Sequence, residues 1–136
     1  MWLLVGCGTA VDVDAPSTAT GQCSDLLASL PETVDGQERR DVSPEGAAAA
    51  AWGDPAILLR CGVRRPRALD ADSQCAVVQS VGWFAQEQAD GFRFTTIGRA
   101  SNVDVFVPYD YEPAADALVD LAGPIRSVVP ETRPCV

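Results

Sequence analysis

Histidine and lysine are both missing from this 136-residue chain, and their absence removes most of the usual side-chain chemistry. Without histidine there is no Ser-His or Cys-His nucleophile system and no imidazole metal ligand, and without lysine no Ser-Lys dyad and no Schiff base. The chain also lacks a CxxC pair, a glycine-rich phosphate loop and an apolar run long enough to span a membrane. No motif calls for a cofactor or a metal. Positive charge is scarce: ten arginines stand against nineteen acids, for a formal net charge of −9. That balance argues against nucleic acid as a partner and against adhesion to anionic lipid through overall charge, since both draw on a positively charged surface.

What remains is carboxylate chemistry, and it is thinly represented. Asp54 precedes a proline after a helix stop, and Glu87 lies beside a hairpin turn, so each reads as a structural residue rather than as one of an acid and base pair. Asp70-Ala71-Asp72-Ser73 has the alternating oxygens of a calcium loop but not its glycine or distal glutamate, and is expected to form an Asx-type turn.

Five cysteines are present. Leu4-Val5-Gly6-Cys7, followed by Gly8-Thr9-Ala10, has the spacing of a bacterial lipobox, which would leave Cys7 as an acylated N-terminus. Residues 1–7 are then the remnant of a signal segment. Met1-Trp2-Leu3 is too brief for a complete one, and the translated start is expected upstream. The other reading of Cys7 is an incidental terminal thiol. Cys23, Cys61, Cys75 and Cys135 form an even, dispersed set that favours disulfides over metal. Of the three possible pairings, Cys61–Cys75 with Cys23–Cys135 is expected, one closing a short loop and the other tying the chain ends together.

Residues 8–22, rich in Thr, Ser, Ala and Gly with no apolar periodicity, read as a flexible tether, and residues 23–136 as one domain. Residues 23–30 form a helix capped by Ser24 and stopped by Pro31, and Val34-Asp35-Gly36-Gln37 is a turn. Ser43-Pro44-Glu45 opens a second helix extended by residues 47–51 and ended by Gly53. Residues 56–59 suit a buried strand. Residues 77–107 give the clearest signal, a three-stranded antiparallel meander turning at Asp90-Gly91 and near Ser101-Asn102. A last helix begins at Glu112-Pro113, carries Ala114, Ala117, Leu118 and Leu121 on one face, and is interrupted at Gly123-Pro124. The fold class is α+β: an antiparallel meander of three to four strands, flanked by two to three helices and linked by disulfides.

If both meander turns have two residues, one sheet face carries Val81, Trp83, Phe92, Phe94, Val103, Val105 and Val107. The other carries a row of Phe84, Ile97 and Phe106 bordered by Arg93, Thr95, Arg99 and Asp104, with Arg99 opposite Asp104. Either the N-terminal helix covers this row, or the row is a surface for a partner or ligand. Arg60, Arg64, Arg65 and Arg67 form the only basic cluster. Guanidinium forks there could grip a phosphate, a lipid headgroup or an acidic partner; the alternative is a solvated loop.

The chain carries Cys23-Ser24-Asp25-Leu26-Leu27, the Val34-Asp35-Gly36 turn with Arg39-Arg40, Val81-Gly82-Trp83 and Phe94-Thr95-Thr96-Ile97-Gly98-Arg99. The most specific stretch is Trp52-Gly53-Asp54-Pro55-Ala56-Ile57-Leu58-Leu59-Arg60-Cys61-Gly62-Val63. With these segments the chain resembles the actinobacterial domain-of-unknown-function family DUF3515, small exported proteins often bearing a lipobox. The resemblance implies an envelope location and paired cysteines, and brings no activity with it. Two readings of function survive. One is a non-enzymatic, lipid-tethered envelope module contacting an envelope protein or small ligand through Phe84, Ile97, Phe106 and the nearby arginines, its only membrane attachment the lipid. The other is a carboxylate-dependent envelope hydrolase.

Overall fold

Neighbouring strands in this protein bring two lateral rows of side chains together on one face of a wide sheet, and the remaining architecture follows from what covers each face. A computed structural model describes residues 9–17 and 21–134. The proposed signal remnant, the lipidation site Cys7, residues 18–20 and Cys135 lie outside the described residues.

In chain order the elements are β1 (Val11–Asp12), α1 (Gly21–Ser29), β2 (Thr33–Val34), β3 (Gln37–Arg40), β4 (Val42–Ser43), β5 (Ala49–Trp52), β6 (Ile57–Cys61), β7 (Ala76–Val78), β8 (Val81–Glu87), β9 (Gly91–Thr96), β10 (Val103–Pro108) and α2 (Ala115–Val128). Eight strands form one antiparallel sheet in the order β2-β3-β5-β6-β10-β9-β8-β7, and β1 pairs with β4 in a small parallel sheet. The α+β class and the β8-β9-β10 meander are as expected, with a wider sheet than the meander alone.

Both helices pack on the same side. The core joins Cys23 and Leu26 of α1 and Leu118, Leu121 and Ile125 of α2 to the inward row Ala50, Leu59, Val105 and Phe94, with Trp52 and Trp83 fully buried beside them. The N-terminal helix therefore does not cover the second sheet face. Part of that face is covered instead by residues 9–17, which were expected to be a free tether: the Val11 and Val13 N–H groups donate to Asp41 and Ser43 carbonyls, and the Ala48 N–H to Pro16.

The helix expected from Ser43-Pro44-Glu45 through residues 47–51 does not form: Ala47 makes an isolated bridge to Ser17, and Ala49–Trp52 is the strand β5. All five alanines are buried, with the N-terminal segment on one side and the helical layer on the other. A continuous run of small apolar residues fits a doubly covered strand as well as a helix, and helix propensity yields to that packing. At the other end α2 runs through Gly123-Pro124 to Val128 rather than stopping there. Ile125 and Val129, both fully buried beyond the proline, hold the last turn to the core.

The hairpin register also differs. Asp35-Gly36 is the two-residue turn expected, both residues at positive φ. Between β8 and β9, however, Glu87 pairs with Phe92 and the Gln88 N–H donates to the Gly91 carbonyl, so Ala89-Asp90 is the turn. Gly91 is needed for another reason: a Cβ there would lie 2.2 Å from the Val107 carbonyl oxygen on the neighbouring strand. Between β9 and β10 a longer connection replaces the expected two-residue turn, and Thr96 Oγ1 accepts from the Val103 N–H across it. Phe84 consequently pairs with Thr95, Thr95 with Asp104, and Phe106 with Arg93. The row of Phe84, Ile97 and Phe106 does not exist; Ile97 follows β9 and lines a separate small depression with Leu69 and Cys75.

The disulfide is Cys23–Cys61, joining α1 to the end of β6. Both expected pairings, Cys61–Cys75 and Cys23–Cys135, are therefore wrong. Loop length, which guided them, says nothing of which elements the core stacks, and α1 lies over β6. Cys75 is also disulfide-bonded.

Candidate functional site

The outward row Ala49, Arg60, Asp104, Thr95 and Phe84 crosses five strands, and beside it runs Ala51, Leu58, Phe106, Arg93 and Gln86. Where these rows cross β10, β9 and β8 they form the floor of an open groove of about 880 Å³. One wall is the N-terminal segment 14–16; the other is the loop 62–68 that follows β6.

Asp104 anchors the floor. Its side chain is 4% exposed, and Arg60 grips it with Nε to Oδ1 at 2.9 Å and Nη2 to Oδ2 at 2.6 Å. Arg93 Nη1 approaches Oδ2 at 3.5 Å, and its guanidinium lies 5.4 Å from the centre of the half-buried Phe106 ring. Arg60 also donates from Nη1 to the Asp14 carbonyl at 2.8 Å, so the same side chain fastens the first wall to the floor. The Asp104 hydrogen bond pushes the Arg60 pKa above its already high ordinary value, outweighing burial, which acts in the opposite sense.

The second wall is held at its root. The Gly62 and Val63 N–H groups donate to the Asn102 carbonyl, Asn102 Nδ2 donates to the Val63 carbonyl, and the disulfide ends at Cys61 immediately before. Gly62 itself sits at φ +82° beside Cys23 Sγ and Pro16, a backbone conformation in which a side chain would be strained. Beyond that root, Arg65 donates to the Leu69 carbonyl at 3.1 Å. The exposed Arg64 and Arg67 side chains make no hydrogen bond or ion pair among the described residues.

The groove thus unites two sets of residues that are separate in sequence: Arg60, Arg64, Arg65 and Arg67 from the basic cluster, and Arg93, Thr95 and Asp104 from the sheet. It leaves out others. Arg99, expected opposite Asp104, donates to the Val129 and Ser80 carbonyls and braces the C-terminal segment. Phe84 lines a neighbouring depression with Cys75 and Ala76. Among the carboxylates, Glu87 accepts the Tyr109 hydroxyl at 2.8 Å and Asp54 lies beside Arg40 in another depression, so neither reaches the groove. Asp70 Oδ1 accepts the Asp72 N–H in the Asx turn expected there. The 14–16 wall was missed; the Val11-Asp12-Val13 alternation, a short strand signal, pointed to it.

An antiparallel sheet with helices on one face and a guanidinium-lined groove on the other defines a disulfide-bonded α+β domain. The chain belongs to the family described as "Protein of unknown function (DUF3515)", whose model matches residues 8–134 and so takes in the N-terminal wall of the groove. Searches of curated proteins and of solved structures find no match to the chain. No helix among the described residues is long and apolar enough to cross a membrane.

Proposed function

We propose that this protein is a non-enzymatic binding module of the cell envelope, exported, held at the membrane by a lipid on Cys7, and capturing an anionic ligand or partner in the groove. One observation carries this reading: a chain with net charge −9 gathers five of its ten arginines around a single groove. Such clustering costs mutual repulsion and is relieved by a bound anion. Export is supported by the disulfides, which persist in oxidising compartments.

The groove offers a hydrolase little to work with. Of its two acids, Asp104 already accepts from two guanidinia and Asp14 lies in the wall that Arg60 fastens. The test is to measure binding of small anions to the full chain by calorimetry, beside the Arg64→Glu/Arg67→Glu variant. Loss of binding in the variant, with an unchanged melting temperature, is the expected result. Equal binding by both proteins removes the groove from consideration. Membrane fractionation of the protein expressed behind a lipoprotein leader, compared with Cys7→Ser, tests the anchor.

A further inference from the structure

We infer that the groove takes a phosphoryl dianion, an inference that rests on the groove being the binding site. Charge sets the valence. Five guanidinia against Asp14 and Asp104 leave three positive charges uncompensated in the lining, more than a single carboxylate would neutralise. Arg60 and Arg93 are engaged with Asp104 and Arg65 with a carbonyl, whereas Arg64 and Arg67 retain their full sets of donors. Those donors, on exposed side chains at the groove wall, are available to a group with several oxygens. A phosphoryl group presents three acceptor oxygens and about two negative charges at neutral pH, and guanidinium forks match it in bidentate fashion.

An independent observation comes from Thr95 on the floor. The residue is 1% exposed, yet its hydroxyl has no hydrogen-bond partner among the described residues. Trp83 Nε1 is the only fully enclosed side-chain polar atom left without a partner among them, so the Thr95 hydroxyl keeps its small opening, and Thr95 lines the groove. A nearly buried hydroxyl without a partner loses hydration and regains nothing until something binds. A phosphoryl oxygen above the floor would accept from it while the loop arginines close from the side. The volume of about 880 Å³ exceeds what a bare phosphate fills, and Pro16, Val63 and Pro66 supply apolar wall for an organic body attached to the phosphoryl group.

The same chemistry is found in a free phosphorylated metabolite and in a phosphomonoester lipid headgroup. The full chain is titrated with glycerol 3-phosphate, inorganic phosphate and succinate, and sedimented with phosphatidylcholine vesicles containing or lacking phosphatidic acid. Glycerol 3-phosphate should bind more tightly than succinate. Its affinity should climb from about pH 5 to about pH 7.5 as the phosphate loses its second proton, whose pKa is about 6. Arg64→Gln/Arg67→Gln should weaken binding about tenfold or more, and Thr95→Val about fivefold, with Thr95→Ser restoring it and melting temperatures unchanged. Binding to glycerol 3-phosphate without vesicle capture assigns a soluble ligand, and capture by phosphatidic acid vesicles alone assigns a headgroup. Succinate binding as well as glycerol 3-phosphate, or a flat pH profile, overturns the phosphoryl assignment while leaving the groove as the site. Failure of every anion and vesicle to bind overturns both.

Discussion

Arg60 and Asp104 face each other directly across β6 and β10, and the one guanidinium takes both oxygens of the one carboxylate. A buried ion pair of this kind is weak evidence of net stability, but removing one partner strands the other's charge. Arg60→Met should lower the unfolding free energy by about 3 kcal/mol, and Arg60→Met combined with Asp104→Leu should recover most of that loss. Urea unfolding of the three proteins is the measurement. A single variant as stable as the parent would mean that Arg93 alone satisfies Asp104.

The Cys23–Cys61 bridge spans 38 residues and ties the helical layer to the sheet. In the chain-entropy account a loop of that length stabilises by about 4 kcal/mol. Reduction, or Cys23→Ser, should shift the unfolding midpoint accordingly. Pro134, the residue before Cys135, lines the same depression as Cys75. Non-reducing peptide mapping should therefore find Cys75 joined to Cys135, and a Cys61–Cys75 peptide would overturn both assignments.

Gly98 holds the C-terminal segment. Its carbonyl accepts the N–H groups of Thr132 and Arg133 and the Thr132 hydroxyl, and a Cβ on it would lie 2.3 Å from the Arg133 carbonyl oxygen at φ +76°. Gly98→Ala should cost about 1 to 3 kcal/mol through strain and the displaced segment. Hydrogen exchange should then show the Thr132 and Arg133 amides losing protection. Unchanged protection would place the strain elsewhere.

The Asp35 carboxyl is pushed above its ordinary value of 3.8 by burial first and then by Asp116 and Asp120, while its own N–H donates to Asp120. A carboxyl that holds its proton more tightly folded than unfolded opposes folding once ionised, so the penalty is absent below 3.8 and grows as pH rises from there through the folded value. Asp35→Asn keeps a residue tolerant of the positive φ and should raise stability slightly at neutral pH, solvent screening keeping the gain small, with no gain near about pH 3. Thermal melts at the two pH values distinguish this from a gain equal at both, which would have a different cause.

Local chemistry in the sequence reports local structure well. Asp35-Gly36 announces its hairpin, residues 56–59 their strand, and the 77–107 alternation three adjacent strands. The misplaced β8–β9 turn moved each pairing by two residues, which preserves side-chain parity. Residues within the three strands were thus given their correct faces, while Ile97 and Arg99 lie beyond β9 and the row of Phe84, Ile97 and Phe106 does not form. Cysteine pairing and the fate of the alanine run depend on which layers stack, and spacing does not encode that. The groove shows the same division. Its arginines are visible as a cluster, but the lone hydroxyl of Thr95 and the wall at 14–16 exist only once distant segments meet.

The loop that carries Arg64, Arg65 and Arg67 begins just after Cys61 and ends just before Cys75, and both cysteines are covalently bridged. Its two ends are thereby clamped independently of what lies between them. Lengthening such a segment costs little, about 0.6 kcal/mol for each doubling of a flexible loop. This interval is a natural grafting cassette: foreign residues spliced between the two cysteines should change what the protein holds while the sheet beneath them stays folded.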